Sequence, residues 1–368
     1  MLKKMILFGL ILVGAFIMLI LYFQTLRVID FTMQSRRISS LTEAYKTMDI
    51  LDEHAFVGAQ STESLRLNEM RFIASHNSYK KYVPWFGYIA IGLGEDFDEA
   101  NSLRYQTNTL TEQLFDGIRS FELDVRYKNG AYEVVHVPLV DHRSHAIDFA
   151  LALEEIRIFS ENNPNHLPIT LLLEIKDDWM ILDPWLDDYD AEAFDVLDEI
   201  IIDQLKNHLL MPNAMLENHD TLSTTISEDG WPLIDDLRGK ILVVKHPSKY
   251  TQMYVDRDQT LQTLAMFPGV YSGGADAHYA SFVVHNSPEV DVINALVKQG
   301  LIVRTRADST LKIDSDRRTR AFESGAQIIT TDFYPNHQIN PSYYVVVFEH
   351  GYTMIENHIK PIMIEEND

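Results

Sequence analysis

Within Ser120–Pro138, Phe121, Leu123 and Val125 alternate with Glu122, Asp124 and Arg126, the period of a strand with two unlike faces. Period two puts Glu122 and Asp124 on one face. Two carboxylates that close repel each other, so they either face water or share a hard cation, and Ca2+ takes oxygen ligands of this kind. Both readings stand on this stretch alone. Asn129-Gly130 supplies a turn, and a second strand, Tyr132–Val137, carries His136 at its end. Other strand-like runs end in polar groups as well. His76-Asn77 follows Met70–Ala74, Glu174 and Lys176 close LLLEIK, and Lys245, Arg304, Arg306 and Asp332 end later runs. A single strand-end histidine is more often structural. Two histidines, three carboxylates and an asparagine at one set of strand ends are harder to explain by solvation. Asn77, Glu122, Asp124 and Glu174 form an oxygen-donor set that suits Ca2+ better than Zn2+. His76 and His136 remain for proton transfer. A metal with two acid–base groups is equipment for phosphodiester cleavage, where charge builds on phosphoryl oxygens.

The elements that must position these groups alternate. Helical patterns at Leu103–Phe115, Ala146–Asn162, Ala191–Leu210, Glu289–Gln299 and Ser315–Glu323 separate apolar runs at 70–74, 121–125, 132–137, 169–175, 240–245, 282–285, 301–306 and 327–331. Eight strands with a helix after most of them predict an α/β fold, a TIM-like (β/α)8 barrel with catalytic groups at the C-terminal strand ends. No glycine-rich phosphate turn supports an open doubly wound sheet. Tyr343–Glu349 is expected to add a strand outside the barrel. Tyr82–Gly94, apolar and aromatic with Gly and Pro, is expected to be a loop, either a lipid-facing one or a buried packing insertion.

The chain has 368 residues, 46% hydrophobic and 11% aromatic, with a formal net charge of −23 and no cysteine. This is the composition of a packed globular protein. The charge argues against a nucleic-acid partner and against attraction to an anionic membrane without a basic patch or bridging cation. The lack of cysteine excludes disulfides, thiolate zinc sites and a cysteine nucleophile. Met5–Phe23 is 19 residues without a charge, long enough to span a bilayer. An uncleaved signal anchor over residues 1–26 is expected, with a cleaved signal peptide as the alternative. Lys3 and Lys4 favour a cytoplasmic N-terminus and an exported domain, although Arg27, Arg36 and Arg37 blunt the rule. Residues 27–66 form a helical juxtamembrane spacer with Ile38, Leu41, Tyr45 and Met48 at helical spacing, residues 67–359 form the barrel, and 360–368 form an acidic tail.

At the residues singled out above the chain resembles a known family. SHNSY at 75–79, GIRSFELDVRY at 117–127, HVPLVD at 136–141 and LLLEIKDD at 171–178 look like the calcium-dependent phosphatidylinositol-specific phospholipases C, within the PLC-like phosphodiesterases. Gly230-Trp231-Pro232, RGKILVV at 238–244, GLIVRTRAD at 300–308 and SGAQIITTDFY at 324–334 agree. The resemblance implies a TIM-like barrel and one Ca2+ held by Asn77, Glu122, Asp124 and Glu174. It places His76 and His136 beside the phosphate, with His136 as general acid toward diacylglycerol, and it points to Lys176, Arg304 and Asp332 as substrate contacts. The implied partner is a phospholipid at a membrane surface, cleaved to diacylglycerol and a cyclic inositol phosphate. A glycerophosphodiester phosphodiesterase shares the paired carboxylates, the following histidine and the E-x-K strand, but it resembles HRG where this chain has His76-Asn77-Ser78. A non-catalytic membrane-anchored binding module is the remaining reading, though no histidine or carboxylate of the set is lost.

Overall fold

The computed structural model describes residues 2–59, 61–216 and 218–362. The acidic tail lies outside them from residue 363 onward. The strands are β1 (Met70–Ser75), β2 (Ser120–Lys128), β3 (Ala131–Val134), β4 (Ile169–Ile175), β5 (Leu209–Leu210), β6 (Ile241–Lys245), β7 (Phe267–Tyr271), β8 (Phe282–Val284), β9 (Ile302–Arg306), β10 (Ile328–Thr331) and β11 (Met354–Glu356). The helices are α1 (Leu2–Tyr45), α2 (Trp85–Gly94), α3 (Phe97–Ser102), α4 (Leu110–Phe115), α5 (Phe149–Asn162), α6 (Ala191–Leu205), α7 (Leu222–Glu228), α8 (Thr251–Asp256), α9 (Val290–Lys298) and α10 (Ser315–Glu323).

A parallel ladder runs β1-β10-β9-β8-β7-β6-β4-β2, with β3 and β11 added antiparallel at its two ends. This is the expected TIM-like barrel. Its seam lies between β1 and β2, where no ladder forms among the described residues. Ser78 closes the gap. Its N–H donates to the Glu122 carbonyl and its Oγ accepts from the Glu122 N–H, both at 2.9 Å. Residues 132–137 are not a barrel strand, since β3 folds back on β2 as a hairpin arm. The missing barrel strand is β7, whose FPGVY carries a proline and a glycine that conceal it. Proline is tolerated there because the strand is short and makes few ladder bonds.

Further expectations are corrected. Residues 343–349 form no strand, and the added strand is β11 instead. The helical pattern from Leu103 begins only at Leu110, where Thr109 and Glu112 cap the helix. Residues 85–94 are helical rather than a loop. Their glycines serve close packing, because a Cβ on Gly87 would lie 1.9 Å from the Val140 carbonyl oxygen. The spacer is a direct continuation of the apolar helix, so that α1 runs 44 residues unbroken. Asp30, Gln34, Ile38, Leu41 and Tyr45 form its buried stripe, whereas Met48 lies past the helix end, exposed. Helix α1 is long and apolar enough to cross a membrane.

Candidate active site

Strand register explains how the polar groups meet. Asp124 on β2 pairs side by side with Glu174 on β4, and Glu122 lies two residues back on the same face. The ligand atoms of these three carboxylates lie within 4.8 Å of one another. Glu122 forms a cross-barrel ion pair with Arg304 of β9. Arg304 also bonds Asn286 and donates Nε to Thr330 Oγ1 at 2.8 Å. Burial would raise the Glu122 carboxyl, but Arg304, His76 and Arg306 outweigh it and hold it at about 2. Asp124 is fully buried, yet neither carboxylate oxygen receives a hydrogen bond. Burial pushes its carboxyl up, opposed by Lys176 and reinforced by Glu174. Lys176 Nζ donates to Glu174 at 3.0 Å and stands 3.5 Å from Asp124. A buried carboxylate with unclaimed lone pairs beside two more carboxylates fits a hard cation. Asn77 adds to the fit. It sits at positive φ, a conformation asparagine tolerates, and donates Nδ2 to Tyr105 Oη at 3.2 Å, which keeps its amide oxygen for another partner.

Each histidine forms a dyad with an aspartate. β1 and β10 run parallel with Ser75 opposite Thr331, so the next residues, His76 and Asp332, leave the two strands together. His76 Nδ1 lies 2.7 Å from Asp332 Oδ1. Burial would raise the Asp332 carboxyl, but His76 and Arg306 draw it down to about 2. His136 Nδ1 lies 2.8 Å from Asp141 Oδ2. A tight hairpin with Val137 and Asp141 bonded both ways brings the two together. Lys80, fully buried, donates to both Asp141 oxygens at 2.5 and 2.6 Å. Burial would raise the Asp141 carboxyl, but Lys80 and His136 together outweigh it and keep it below its ordinary range. Arg126 Nη2 donates to the His136 carbonyl at 2.5 Å and pins the turn.

His76, Asn77, Glu122, Asp124, His136, Glu174, Lys176, Arg304 and Asp332 thus converge at one barrel mouth, whereas Lys245 turns to Ser248 and Thr251. Two of the groups read as substrate contacts also bond within the protein. Asp332 is the partner of His76, and Arg304 is committed to Glu122 and its neighbours. Lys176, Arg304 and Arg306 all stand on the cavity wall, Arg306 3.2 Å from His76 Nδ1. Asp141, Lys80 and His246 were missed. Asp141 lay in the quoted HVPLVD and His246 directly after KILVVK, but neither position announces a partner that only folding supplies. The polar cavity, lined by His246 together with His76, His136 and Glu122, is about 360 Å3.

Two histidine–aspartate dyads and a carboxylate cluster at the C-terminal mouth of a parallel barrel define a phosphodiester-cleaving enzyme. Comparison with known proteins takes this further. Residues 65–130 and 126–357 match the family described as phosphoinositide phospholipase C, Ca2+-dependent, and the chain belongs to that family. It is a phosphodiesterase. No curated protein sequence matches. The structure is similar to a calcium-dependent phosphoinositol-specific phospholipase C from Pseudomonas sp. at a TM-score of 0.59 and 17% identity, over 83% of this chain and 99% of that one. It is also similar to a Ca2+-dependent phosphatidylinositol-specific phospholipase C from Streptomyces antibioticus at 0.54 and 17%, over 73% and 95%. At these identities the likeness speaks for the fold.

Proposed function

We propose that this chain cleaves phosphatidylinositol-type lipids to diacylglycerol and a cyclic inositol phosphate, on the outer side of the membrane that holds α1. The observation that carries this reading is the meeting of two unlike cavities at His136. One is the polar cavity, with His76, Lys176 and Arg306 on its wall. The other, about 410 Å3, is lined mainly by apolar groups, Ile91, Leu103, Val140, Trp179 and Leu182, together with Glu95, Glu99 and Asp178. A phosphoinositide joins a polar head to an apolar leaving group through one phosphodiester. Seated across both cavities, it would place that bond beside His136.

Asn77, Glu122, Asp124 and Glu174 would hold Ca2+, which when bound neutralises charge on phosphoryl oxygens. The dyads divide the proton transfers. The ionised Asp332 accepts a hydrogen bond from the Nδ1–H of His76, which fixes the tautomer and leaves Nε2 free as a base toward the inositol 2-hydroxyl. As that hydroxyl oxygen bonds to phosphorus, the bond from phosphorus to the glycerol oxygen breaks. His136, held by Asp141, gives the departing oxygen its proton. Arg306 supplies positive charge where the phosphoryl oxygens gain negative charge.

The test compares phosphatidylinositol with glycerophosphoinositol, each with and without Ca2+. Calcium-dependent release of diacylglycerol and cyclic inositol phosphate is expected. Preference for the deacylated diester would favour the glycerophosphodiesterase alternative and overturn this reading.

A further inference from the structure

We propose that α1 is part of the working enzyme: docked on the barrel, it turns the mouth onto the bilayer in which it is embedded, so that the lipid substrate comes from the enzyme's own membrane. The statement about substrate rests on the phospholipase reading above, and the orientation does not.

The docking is specific. The Asp30 carboxylate, buried, accepts from Lys81 Nζ at 2.7 Å and from Arg143 Nε and Nη2 at 2.6 and 2.7 Å. Gln34 bonds the Asp148 backbone in both directions at 2.9 Å. Arg37 reaches Glu155 and the His145 carbonyl, both at 2.7 Å. Losing one partner of such a buried charged set leaves the other uncompensated, so the helix cannot slide or swing freely. No turn separates the docked half from the exposed apolar half.

The level at which the apolar half leaves the barrel is the mouth. Phe16, Ile20 and Phe23 face Pro138, Leu139 and the 181–186 loop across a cavity of about 350 Å3. Tyr22 meets Phe86 of α2 edge-on at 5.9 Å. Pro138 and Leu139 belong to the same hairpin as His136. At this level large apolar side chains stand exposed, Leu93 by 77% and Ile181 by 88%, in a protein whose net charge of −23 would otherwise keep it off an anionic surface. The end of a membrane span, the exposed apolar rim and the catalytic hairpin therefore lie together.

The absence of native cysteine permits single-site labels on the full chain. Fluorophores at Leu93→Cys, Ile181→Cys and Asp236→Cys would be compared in phosphatidylcholine–phosphatidylinositol vesicles carrying nitroxide lipid. Asp236 lies in the loop that enters β6, at the opposite end of the barrel. Quenching is expected at 93 and 181 and not at 236. A flexible Gly-Ser insertion between Leu26 and Arg27 keeps the docked half but frees the span, and it should reduce rim quenching. In the uninserted protein, labelled lipid in the enzyme's own vesicles should be cleaved on the order of tenfold faster than lipid in separate vesicles, because tethering raises effective concentration. Rim labels quenched no more than Asp236→Cys, or an insertion variant indistinguishable from the parent, would overturn the proposal. Quenching in the expected pattern with no lipid cleaved in either arrangement would instead refute the phospholipase reading and support the orientation.

Discussion

His136 and His76 sit in matching dyads on the wall of one cavity, and their roles separate by leaving group. If His136 protonates the glycerol oxygen, His136→Ala should lower lipid cleavage by roughly 10²–10⁴-fold. It should cost much less with a phenolic leaving group, which departs without a proton. His76→Ala should hurt both substrates alike, because the hydroxyl must be deprotonated whichever group leaves. Rates for both variants on both substrates, with melting temperatures alongside, decide this, and equal losses at His136 would remove its role as acid. The carboxylate cluster makes a second prediction. Asp124 gains nothing from hydrogen bonding inside the protein, so Asp124→Asn should weaken Ca2+ binding sharply while leaving the melting temperature of the calcium-free protein unchanged or higher. Calorimetric calcium titration reads this directly, and parental affinity in the variant would dismiss Asp124 as a ligand.

Among the elements, the position of α2 depends on a single residue. Gly87 lets the helix approach the Val140 carbonyl on the hairpin that carries His136. Gly87→Ala should force the two apart at a cost of roughly 1–3 kcal/mol, the usual scale for overpacking. Since α2 and Val140 both line the apolar cavity, the Michaelis constant for vesicle lipid should rise. Cleavage of a short-chain soluble phosphoinositide should change little. Equal effects on both substrates would mean that the displaced helix distorts His136 itself rather than the lipid side.

For the whole molecule, histidines held down by burial set an acid limit, His142, His145 and His166 most strongly. Burial holds His142 and His145 down at about 4 and His166 at about 3. Unfolded, each takes a proton near pH 6.5. As pH falls below that value the unfolded state binds more protons than the folded one, so stability is lost from there down to the folded values. At about pH 5 each group costs on the order of 2 kcal/mol. The depressed carboxylates Glu122, Asp141 and Asp332 contribute in the same direction only at lower pH, below the ordinary carboxylate range. Melting temperature should therefore fall between neutral pH and pH 5. His166→Gln should start lower and fall less steeply, and an unchanged slope would exclude His166 as a source.

Alternation in SFELDVRY and the apolar run LLLEI determined that Glu122, Asp124 and Glu174 sit on strands and face one way, because side-chain direction in a strand is a local property of the backbone. The uncharged run at Met5–Phe23 was equally legible, since the length and polarity of a span need no partners. Tertiary structure decided everything that depends on a second segment. Asp332 became the partner of His76 because β1 and β10 lie in register across some 250 residues of chain. Arg304 was committed to Glu122 by the width of the barrel. Residues 132–137 left the barrel and 267–271 entered it because strand membership is settled by hydrogen-bonded neighbours, not by hydropathy. Gly87 and Gly92, which read as loop residues, answer instead to close neighbours of the helix at Val140 and Phe97, contacts that no local pattern of residues records.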